Sequence, residues 1–146
     1  MIERCSSIDQ AGWLSLRQAL WPGSRHEHLA EMSAFLDNPE RFAQFVAYSA
    51  TGEPCGFSEA SVRADYVNGT HTSPVAFLEG LYVTPQHRRR GIAKELVGAV
   101  QSWAHQAGYS ELASDAAVNN ELSHAVHRAL GFAETERVVF FRKVLP

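Results

Sequence analysis

Three sets of residues in the sequence have the types and spacing that chemistry requires. The first is the run Arg88-x-x-Gly91-x-Ala93, where a phosphate group could meet backbone N–H groups. The second is a set of three carboxylates within or beside apolar segments: Glu79, Asp115 and Glu136. The third is His127, whose imidazole can donate a proton near neutral pH. These residues indicate a site for an anion next to a site for a cation.

The run from Arg88 to Ala93 is typical of a strand-to-helix turn that binds a pyrophosphate. The first N–H groups of a helix have no partner within it, and the macrodipole adds positive potential there. Gly91 and Ala93 are small enough for a phosphate to approach the backbone, and the flanking arginines add charge-assisted hydrogen bonds. No Gly-Lys-Ser/Thr follows and no three-glycine dinucleotide fingerprint is present. An ordinary turn with solvated arginines is the alternative.

The elements that position these residues follow from hydrophobic periodicity and turn residues. The first predicted helix begins at the capping-box spacing of Ser7 to Gln10 and ends at Trp21-Pro22-Gly23. Further helices are predicted over 28–36, 92–107 and 119–130, and strands over 42–48, 55–63, 75–83, 109–114 and 136–145. This order is an α/β arrangement around a mixed sheet, in which 75–114 forms a right-handed parallel crossover.

Composition limits the class of protein. A chain of 146 residues with 45% apolar and 20% charged residues is expected to form one domain, residues 1–146. It has no run of eighteen apolar residues and no secretory signal, so we expect no membrane contact and a cytoplasmic location. Cys5 and Cys55 lack CxxC spacing, which argues against a zinc site or disulfide framework. A net charge of −3 argues against a nucleic-acid partner.

Two segments resemble a known superfamily. Residues 81–93 (LYVTPQHRRRGIA) are similar to the acetyl-CoA-binding motif of the GNAT superfamily of N-acetyltransferases. Farther on, Asn120-x-x-Ser123-x-x-x-His127-x-x-x-Gly131-Phe132 resembles the second signature of that superfamily. The resemblance implies the GNAT fold, a mixed and mostly antiparallel sheet with a parallel, splayed strand pair, flanked by helices. It also implies acetyl-CoA as cosubstrate and no metal.

The same resemblance implies roles for particular residues. The strand end would offer backbone groups to the pantetheine arm and the acetyl carbonyl, through Leu81, Tyr82 and Val83. The N–H groups of the following turn would hold the pyrophosphate, at Arg89, Arg90, Gly91, Ile92, Ala93 and Lys94. Asn120 would hydrogen-bond the cosubstrate. Many members carry a tyrosine where this chain has His127, often as the acid that protonates the departing thiolate. His127 is the candidate for that role, and a packed or exposed helix residue is the alternative.

Further blocks resemble the aminoglycoside 6'-N-acetyltransferases. They are 21–23, 65–69, 73–80, 113–115 and 134–137. This narrower resemblance implies transfer of an acetyl group to the 6'-amine of an aminoglycoside antibiotic, by direct attack in a ternary complex. It also implies that Trp21 and Tyr66 line the sugar pocket, whereas an ordinary core position is the alternative for Trp21.

The three carboxylates suit such a polycationic acceptor. Asp115 lies just past a strand that should be parallel to its neighbour, which is the usual site edge of an α/β sheet. Glu79 and Val83 share one strand face about 13 Å apart, unless a bulge shifts the parity. Glu136 begins the last strand. We expect the three to converge on one cleft and attract ammonium groups, with Asp115 as the base, directly or through water, or alternatively as a cap of the turn before the next helix.

Other readings of the sequence stay open at this stage. The acceptor could be a polyamine, a small metabolite amine or a protein N-terminus, or the chain could be a non-catalytic acyl-CoA-binding module. A homodimer is expected because only one strand follows Phe132, which leaves a sheet edge to cover. Residues 138–141 are apolar on both faces, so the tail of a partner could supply that cover.

Overall fold

The computed structural model covers all 146 residues and has one five-stranded sheet with helices on both faces. The elements in chain order are β1 (Ile2–Arg4), α1 (Trp13–Leu20), α2 (Arg25–Leu36), β2 (Phe42–Tyr48), β3 (Pro54–Arg63), β4 (Val75–Val83), a short 3-10 helix (Pro85–His87), α3 (Ile92–Gln106), β5 (Leu112–Ala113) and α4 (Glu121–Ala129). No helix is both long enough and apolar enough to cross a membrane.

The strands lie in the order β1-β2-β3-β4-β5, and every neighbouring pair is antiparallel except the parallel pair β4–β5. This mixed sheet confirms the fold class predicted from the sequence. The bounds of β2 and β4 agree with the prediction residue for residue. Both strands are mostly apolar, with Gln44 and Glu79 as the polar exceptions, as expected for strands that are covered by helices on both faces.

Side chains of β2 alternate between two cores, one on each face of the sheet. Phe45 packs with Leu96 and Val100 of α3 in one core. Val46 packs with Trp13 of α1 and Met32 of α2 in the other. The sheet is therefore held between α3 on one side and the α1–α2 pair on the other, which fixes the strand ends in space.

A bulge in β4 changes which face its residues occupy. Glu59 of β3 pairs with Gly80, and Ala60 pairs with Leu78, so Glu79 is the extra residue. Glu79 lies on the α1–α2 side of the sheet, and the bulge shifts the residues after it, so that Val83 packs in the α3 core. Glu79 and Val83 therefore do not share one face of the strand. The prediction allowed for this outcome if the strand contained a bulge, and it does.

The N-terminal prediction is partly wrong. The hydroxyl of Ser7 accepts a hydrogen bond from the N–H of Asp9 at 3.2 Å and caps only a turn. The first helix begins later, at Trp13, because Gly12 with φ of 85° takes the N-cap position. Sequence periodicity also missed β1, whose three residues are too few to show a repeat.

The C-terminal strand predicted over 136–145 is not formed within one chain. Residues 133–146 have no regular structure, although their sequence is strand-like. A strand needs a hydrogen-bonded neighbour, and no element of the same chain pairs with these residues. The β5 strand is shorter than predicted for the same reason, since it pairs with β4 over only two residues.

Candidate active site

The loop between β4 and α3 has the backbone conformation of a phosphate-binding turn. Gly91 is the N-cap of α3 with φ of 82°, and Arg89 also has a positive φ of 63°. A Cβ atom added at Gly91 would meet no atom within 4 Å, so the space beside this turn is open. The first N–H groups of the 15-residue helix α3 have no partner within the helix. An anion can therefore approach them directly.

The arginines of this loop have different contacts. Nε of Arg88 donates a hydrogen bond to the carbonyl oxygen of Val83 at 2.9 Å, and its guanidinium carbon lies 5.7 Å from the centre of the Tyr82 ring. Arg88 therefore ties the loop to the end of β4 and does not extend toward the α3 terminus. Arg89 and Arg90 are exposed and remain available to an anion.

Strands β4 and β5 lie side by side for two residue pairs and then diverge. Pairing ends at Phe77 and Ala113, whereas β4 continues to Val83 while bonded to β3 on its other edge. The edge of β4 that faces away from β3 therefore has backbone N–H and C=O groups without a strand partner. Leu81 and Tyr82 lie on this stretch, which is the splay that the sequence predicted. An extended ligand can hydrogen-bond there as a strand would.

His127 lies where these two strands diverge. Its Nε2 is 2.8 Å from Oγ of Ser114, and that hydroxyl is 3.5 Å from the carbonyl oxygen of Leu78. Its Nδ1 is 2.7 Å from the carbonyl oxygen of Ser123, which can only accept, so Nδ1 carries a hydrogen. The half-buried ring packs edge-on against Phe132 at 5.3 Å. Nε2 is consequently the nitrogen that can exchange a proton, and Ser114 is its partner.

Asn120 is the N-cap of α4. Its Oδ1 accepts a hydrogen bond from the backbone N–H of Ser123 at 3.1 Å, as in other Asn-capped helices. The Nδ2 group of the same side chain is not used by this cap and can donate to a ligand. The cap is thus one of the two residues, Asn119 or Asn120, that the sequence offers for this helix.

A cavity of about 330 Å³ is lined by two of the predicted acceptor residues, Trp21 and Glu79. Trp21 follows α1 directly, and its indole lies against the backbone of Gly80, where any Cβ atom would overlap the ring. The indole also meets Phe57 edge-on, with ring centres 5.8 Å apart. Core contacts therefore fix the indole on one side and leave it facing the cavity on the other.

A buried ion pair lines the same cavity. Nη1 of Arg17 contacts both carboxylate oxygens of Glu59, and Nε1 of Trp13 donates to that carboxylate at 2.8 Å. Nε of Arg17 donates to Nδ1 of His28 at 3.1 Å. Burial raises the pKa of the Glu59 carboxyl, against the opposing effect of the Arg17 guanidinium. Since these charges are already paired, the network serves to hold α1 and α2 on the sheet.

Glu79 is held by side chains of the neighbouring strand β3. Nε and Nη2 of Arg63 donate to its two oxygens at 2.9 and 2.8 Å, and the hydroxyl of Ser61 donates at 2.7 Å. The Arg63 guanidinium also stacks 3.5 Å from the centre of the Phe77 ring. Hydrogen bonding to Glu79, together with the charges of Glu79 and Asp115, raises the pKa of Arg63. Arg63 therefore stands as a fixed cation among the predicted carboxylates.

A second, larger cavity of about 1040 Å³ is lined by Tyr66, Asp115, His127 and Glu136. The prediction that the three carboxylates share one cleft is thus wrong in part, because Glu79 lines the smaller cavity. Arg63 lines the larger cavity and bonds to Glu79, so its side chain links the two. Asp115 and Glu136 are exposed to solvent. Tyr66 is 71% exposed, and its ring forms part of the cavity wall.

Two residues of this site were not found from the sequence: Arg63 and Ser114. Each acts through a partner that is distant along the chain, so no local motif marks it. Arg63 bonds to Glu79 across two strands, 16 positions away. No three His, Cys, Asp or Glu side chains come together in the arrangement that a metal ion requires.

Comparisons with known proteins agree with this geometry. Residues 11–132 match the acetyltransferase (GNAT) family. An aminoglycoside N(6')-acetyltransferase type 1 of Acinetobacter genomosp. 13 is 55% identical over 133 residues, which are 91% of this chain and 90% of that protein. The aminoglycoside antibiotic 6'-N-acetyltransferase AAC(6')-Ih of Acinetobacter baumannii superposes with a TM-score of 0.93 and 49% identity, covering 100% of this chain and 99% of that one. AAC(6')-Iy in complex with the bisubstrate analogue CoA-S-monomethyl-acetylneamine gives a TM-score of 0.92 and 45% identity, covering 99% and 98%.

Proposed function

This chain belongs to the acetyltransferase (GNAT) family, and we propose that it transfers an acetyl group from acetyl-CoA to the 6'-amine of aminoglycoside antibiotics. The observation that carries this proposal is the pairing of an open phosphate-binding turn with a large cavity, lined by Asp115 and Glu136, at the splay of β4 and β5. The relatives at about half identity have names that state this reaction. We treat the whole chain as one catalytic domain, since the site draws on residues from Trp21 to Glu136. Its location would be the cytoplasm, where acetyl-CoA is made.

Acetyl-CoA supplies the activated acetyl group, and the residues of this chain fit its parts. The free edge of β4 at Leu81, Tyr82 and Val83 would bind the pantetheine arm by backbone hydrogen bonds. The pyrophosphate would lie at the α3 N-terminus, held by the turn at Arg89, Arg90, Gly91, Ile92, Ala93 and Lys94. The unused Nδ2 of Asn120 would donate a further hydrogen bond. This arrangement would place the thioester at the splay, beside His127.

The acceptor would occupy the two linked cavities. Trp21 and Tyr66 would give flat surfaces for the sugar rings, and Asp115, Glu136 and Glu79 would bind ammonium groups. An aminoglycoside is large enough to contact both cavities, whereas a small metabolite amine would fill only one of them. If the acceptor were the N-terminus of another protein, the site would need an apolar groove for the peptide. The carboxylates of this site suit such an acceptor less well.

Three groups of the chain would carry the reaction. Asp115, directly or through water, would take a proton from the 6'-ammonium so that the amine can attack. Backbone N–H groups near Val83 would stabilise the negative charge that develops on the acetyl oxygen. The attacking nitrogen would lose its second proton to solvent water. The hydroxyl of Ser114 would give its proton to the departing thiolate and recover one from Nε2 of a protonated His127, which water would then reprotonate.

Neither cysteine suits a covalent pathway. Burial raises the pKa of both the Cys5 and Cys55 thiols, which disfavours the nucleophilic thiolate. Both are free and buried in the cores. Replacing both with alanine is expected to leave turnover per folded molecule intact, and abolished activity would refute direct attack.

We also infer that the active form is a homodimer. The tail has three consecutive side chains with little cover, since Val139, Phe140 and Phe141 are 74%, 89% and 93% exposed. Beyond β5 the sheet has no further strand in the same chain. A second copy that adds its tail at that edge would cover both features. Sedimentation of the wild type should give twice the mass of one chain. The double variant Phe140→Ser, Phe141→Ser should shift the measured mass toward that of a single chain.

The test of function is a thiol-release assay with acetyl-CoA against kanamycin, tobramycin, spermidine and a peptide panel. We expect turnover with the two drugs and much less with the others. Turnover with spermidine or peptides alone would assign another acceptor. Acetyl-CoA binding by calorimetry without turnover on any amine would indicate a non-catalytic binding module.

A further inference from the structure

The loop over 64–74 joins β3 to β4 and carries Asp65 and Tyr66 along the larger cavity. It has no regular structure to fix its shape. Inside the loop, the Ser73 hydroxyl donates to the carbonyl oxygen of Ala64 at 2.9 Å, which closes its base. Loops of this length depend on contacts with other elements to hold one conformation.

The strongest contact of this kind comes from Glu111. Its Oε1 accepts hydrogen bonds from the backbone N–H groups of His71 and Thr72 at 2.9 and 2.8 Å, and from the Thr72 hydroxyl. Its Oε2 lies 3.2 Å from the His71 nitrogen. Backbone N–H bonds to a carboxylate are stronger than neutral ones and fix direction as well as distance. One side chain thus fixes the far half of the loop.

Glu111 also connects the loop to the catalytic segment. It directly precedes β5, and Asp115 follows two residues after that strand. Glu111 and Asp115 therefore flank the same two-residue strand, whose position β4 fixes. A carboxylate at 111 holds the loop in register with the candidate base.

From these contacts we propose that Glu111 is a positioning residue for the acceptor, which anchors the loop so that Tyr66 and Asp115 face each other across the cavity. The proposal rests on the proposed function, since it concerns the acceptor half of that site. Because Oε1 already accepts three hydrogen bonds, little of this carboxylate is left for a direct bond to an ammonium group.

The charge state of Glu111 supports a permanent anchor. The Thr72 hydroxyl, with the N–H groups of His71 and Thr72, lowers the pKa of the Glu111 carboxyl below its usual range. For a depressed carboxyl pKa, the stabilisation is present above the ordinary value and is lost only as pH falls through the lowered one. The Glu111 carboxylate is therefore ionised at every pH between 6 and 9.

The test compares steady-state kinetics of Glu111→Ala, Glu111→Gln and Asp9→Ala with the wild type. Glu111→Ala should raise the KM for kanamycin about tenfold, at the lower end of what charged hydrogen bonds contribute, with the KM for acetyl-CoA within twofold. Glu111→Gln keeps an acceptor oxygen and should recover most of the loss. Asp9 is exposed and lies outside both cavities, so its replacement controls for the lost charge.

A second readout does not depend on turnover. Chymotrypsin should cut after Tyr66 faster in Glu111→Ala than in the wild type, in the absence of any drug. Thr72→Val, which removes one bond of the anchor, should give a smaller increase and should add nothing in the Glu111→Ala background. This milder variant keeps the test available if Glu111→Ala folds poorly.

The outcomes separate the two proposals. A kanamycin KM within twofold of the wild type in Glu111→Ala, or equal increases in both KM values, would overturn the role of Glu111. Unchanged cleavage at Tyr66 would overturn it as well. A wild type that binds acetyl-CoA but acetylates no aminoglycoside would instead refute the proposed function, while the cleavage result still decides whether Glu111 anchors the loop.

Discussion

Arg63 and Glu79 form a two-point ion pair, with Nε to Oε1 at 2.9 Å and Nη2 to Oε2 at 2.8 Å. Glu79 follows Phe77 by two residues, so both lie on the face of the sheet that Ser61 and Arg63 of β3 share. A carboxylate proposed to bind an ammonium group thus already has a cation as partner. A drug that contacts Glu79 must share it with Arg63.

Removing that competing cation should tighten drug binding. We expect Arg63→Met to lower the KM for kanamycin roughly threefold. The ion pair between Arg63 and Glu79, worth about 0.5–1 kcal/mol, then no longer competes with the bond between Glu79 and the drug. The unfolding free energy should change little, since the two side chains are 41% and 33% exposed. Steady-state kinetics at two salt concentrations measures the KM, and urea unfolding measures the free energy. Glu79→Gln is the matched variant and should raise the KM for kanamycin. If Arg63→Met also raised this KM, the result would contradict competition and mean that Arg63 orients Glu79.

Asp115→Asn should lower kcat/KM for kanamycin by about a hundredfold or more, the usual effect of losing a general base. The side chain is exposed and makes no cap or ion pair that folding requires, so the melting temperature should stay near that of the wild type. A thiol-release assay measures kcat/KM, on protein whose melting temperature shows that it is folded. A loss of only a few-fold would remove Asp115 as base or anchor.

Two glycines of α3 should respond in opposite ways to alanine. Gly91→Ala forces φ of 82° on a residue with a Cβ atom, which costs about 1–2 kcal/mol although no neighbour clashes. The KM for acetyl-CoA should rise with it, because the turn at the α3 terminus distorts. Gly98→Ala lies within the helix with open space around it and should stabilise by about 0.5–1 kcal/mol. Urea unfolding and acetyl-CoA titration test the pair, and equal effects at both positions would contradict this account.

Breaking the buried pair of Arg17 and Glu59 should destabilise the fold. Glu59→Gln leaves a buried guanidinium without its main counter-ion, at a cost of about 3 kcal/mol. Glu31→Gln is the control, since that carboxylate is 59% exposed and also bonds to Arg17. Its loss should cost less than about 1 kcal/mol. Similar unfolding free energies for the two variants would show that burial of the pair contributes nothing.

The cosubstrate half of the site could be predicted because its signals are contiguous. Gly91 and the arginines before it lie within four residues, between an apolar strand and an amphipathic helix. The required backbone conformation is therefore visible in the residue types themselves. The same holds for Asn120, which starts α4 with its side chain as cap.

The acceptor half could be predicted only as a list of carboxylates. Which of them share a cavity depends on how strands, loops and tail are placed in the fold, which sequence alternation does not reveal. The bonds of Glu111 to Thr72 join residues 39 positions apart, and no local pattern marks such pairs. The composition of the tail predicts a strand, but a strand forms only where a neighbour offers hydrogen bonds.

The contact between Trp21 and the bare backbone of Gly80 makes position 80 a point that controls the shape of the smaller cavity. Any side chain at position 80 would overlap the indole and force it to move. An alanine there would thus reshape the pocket without altering its charge, and bulky acceptors would be excluded before small ones.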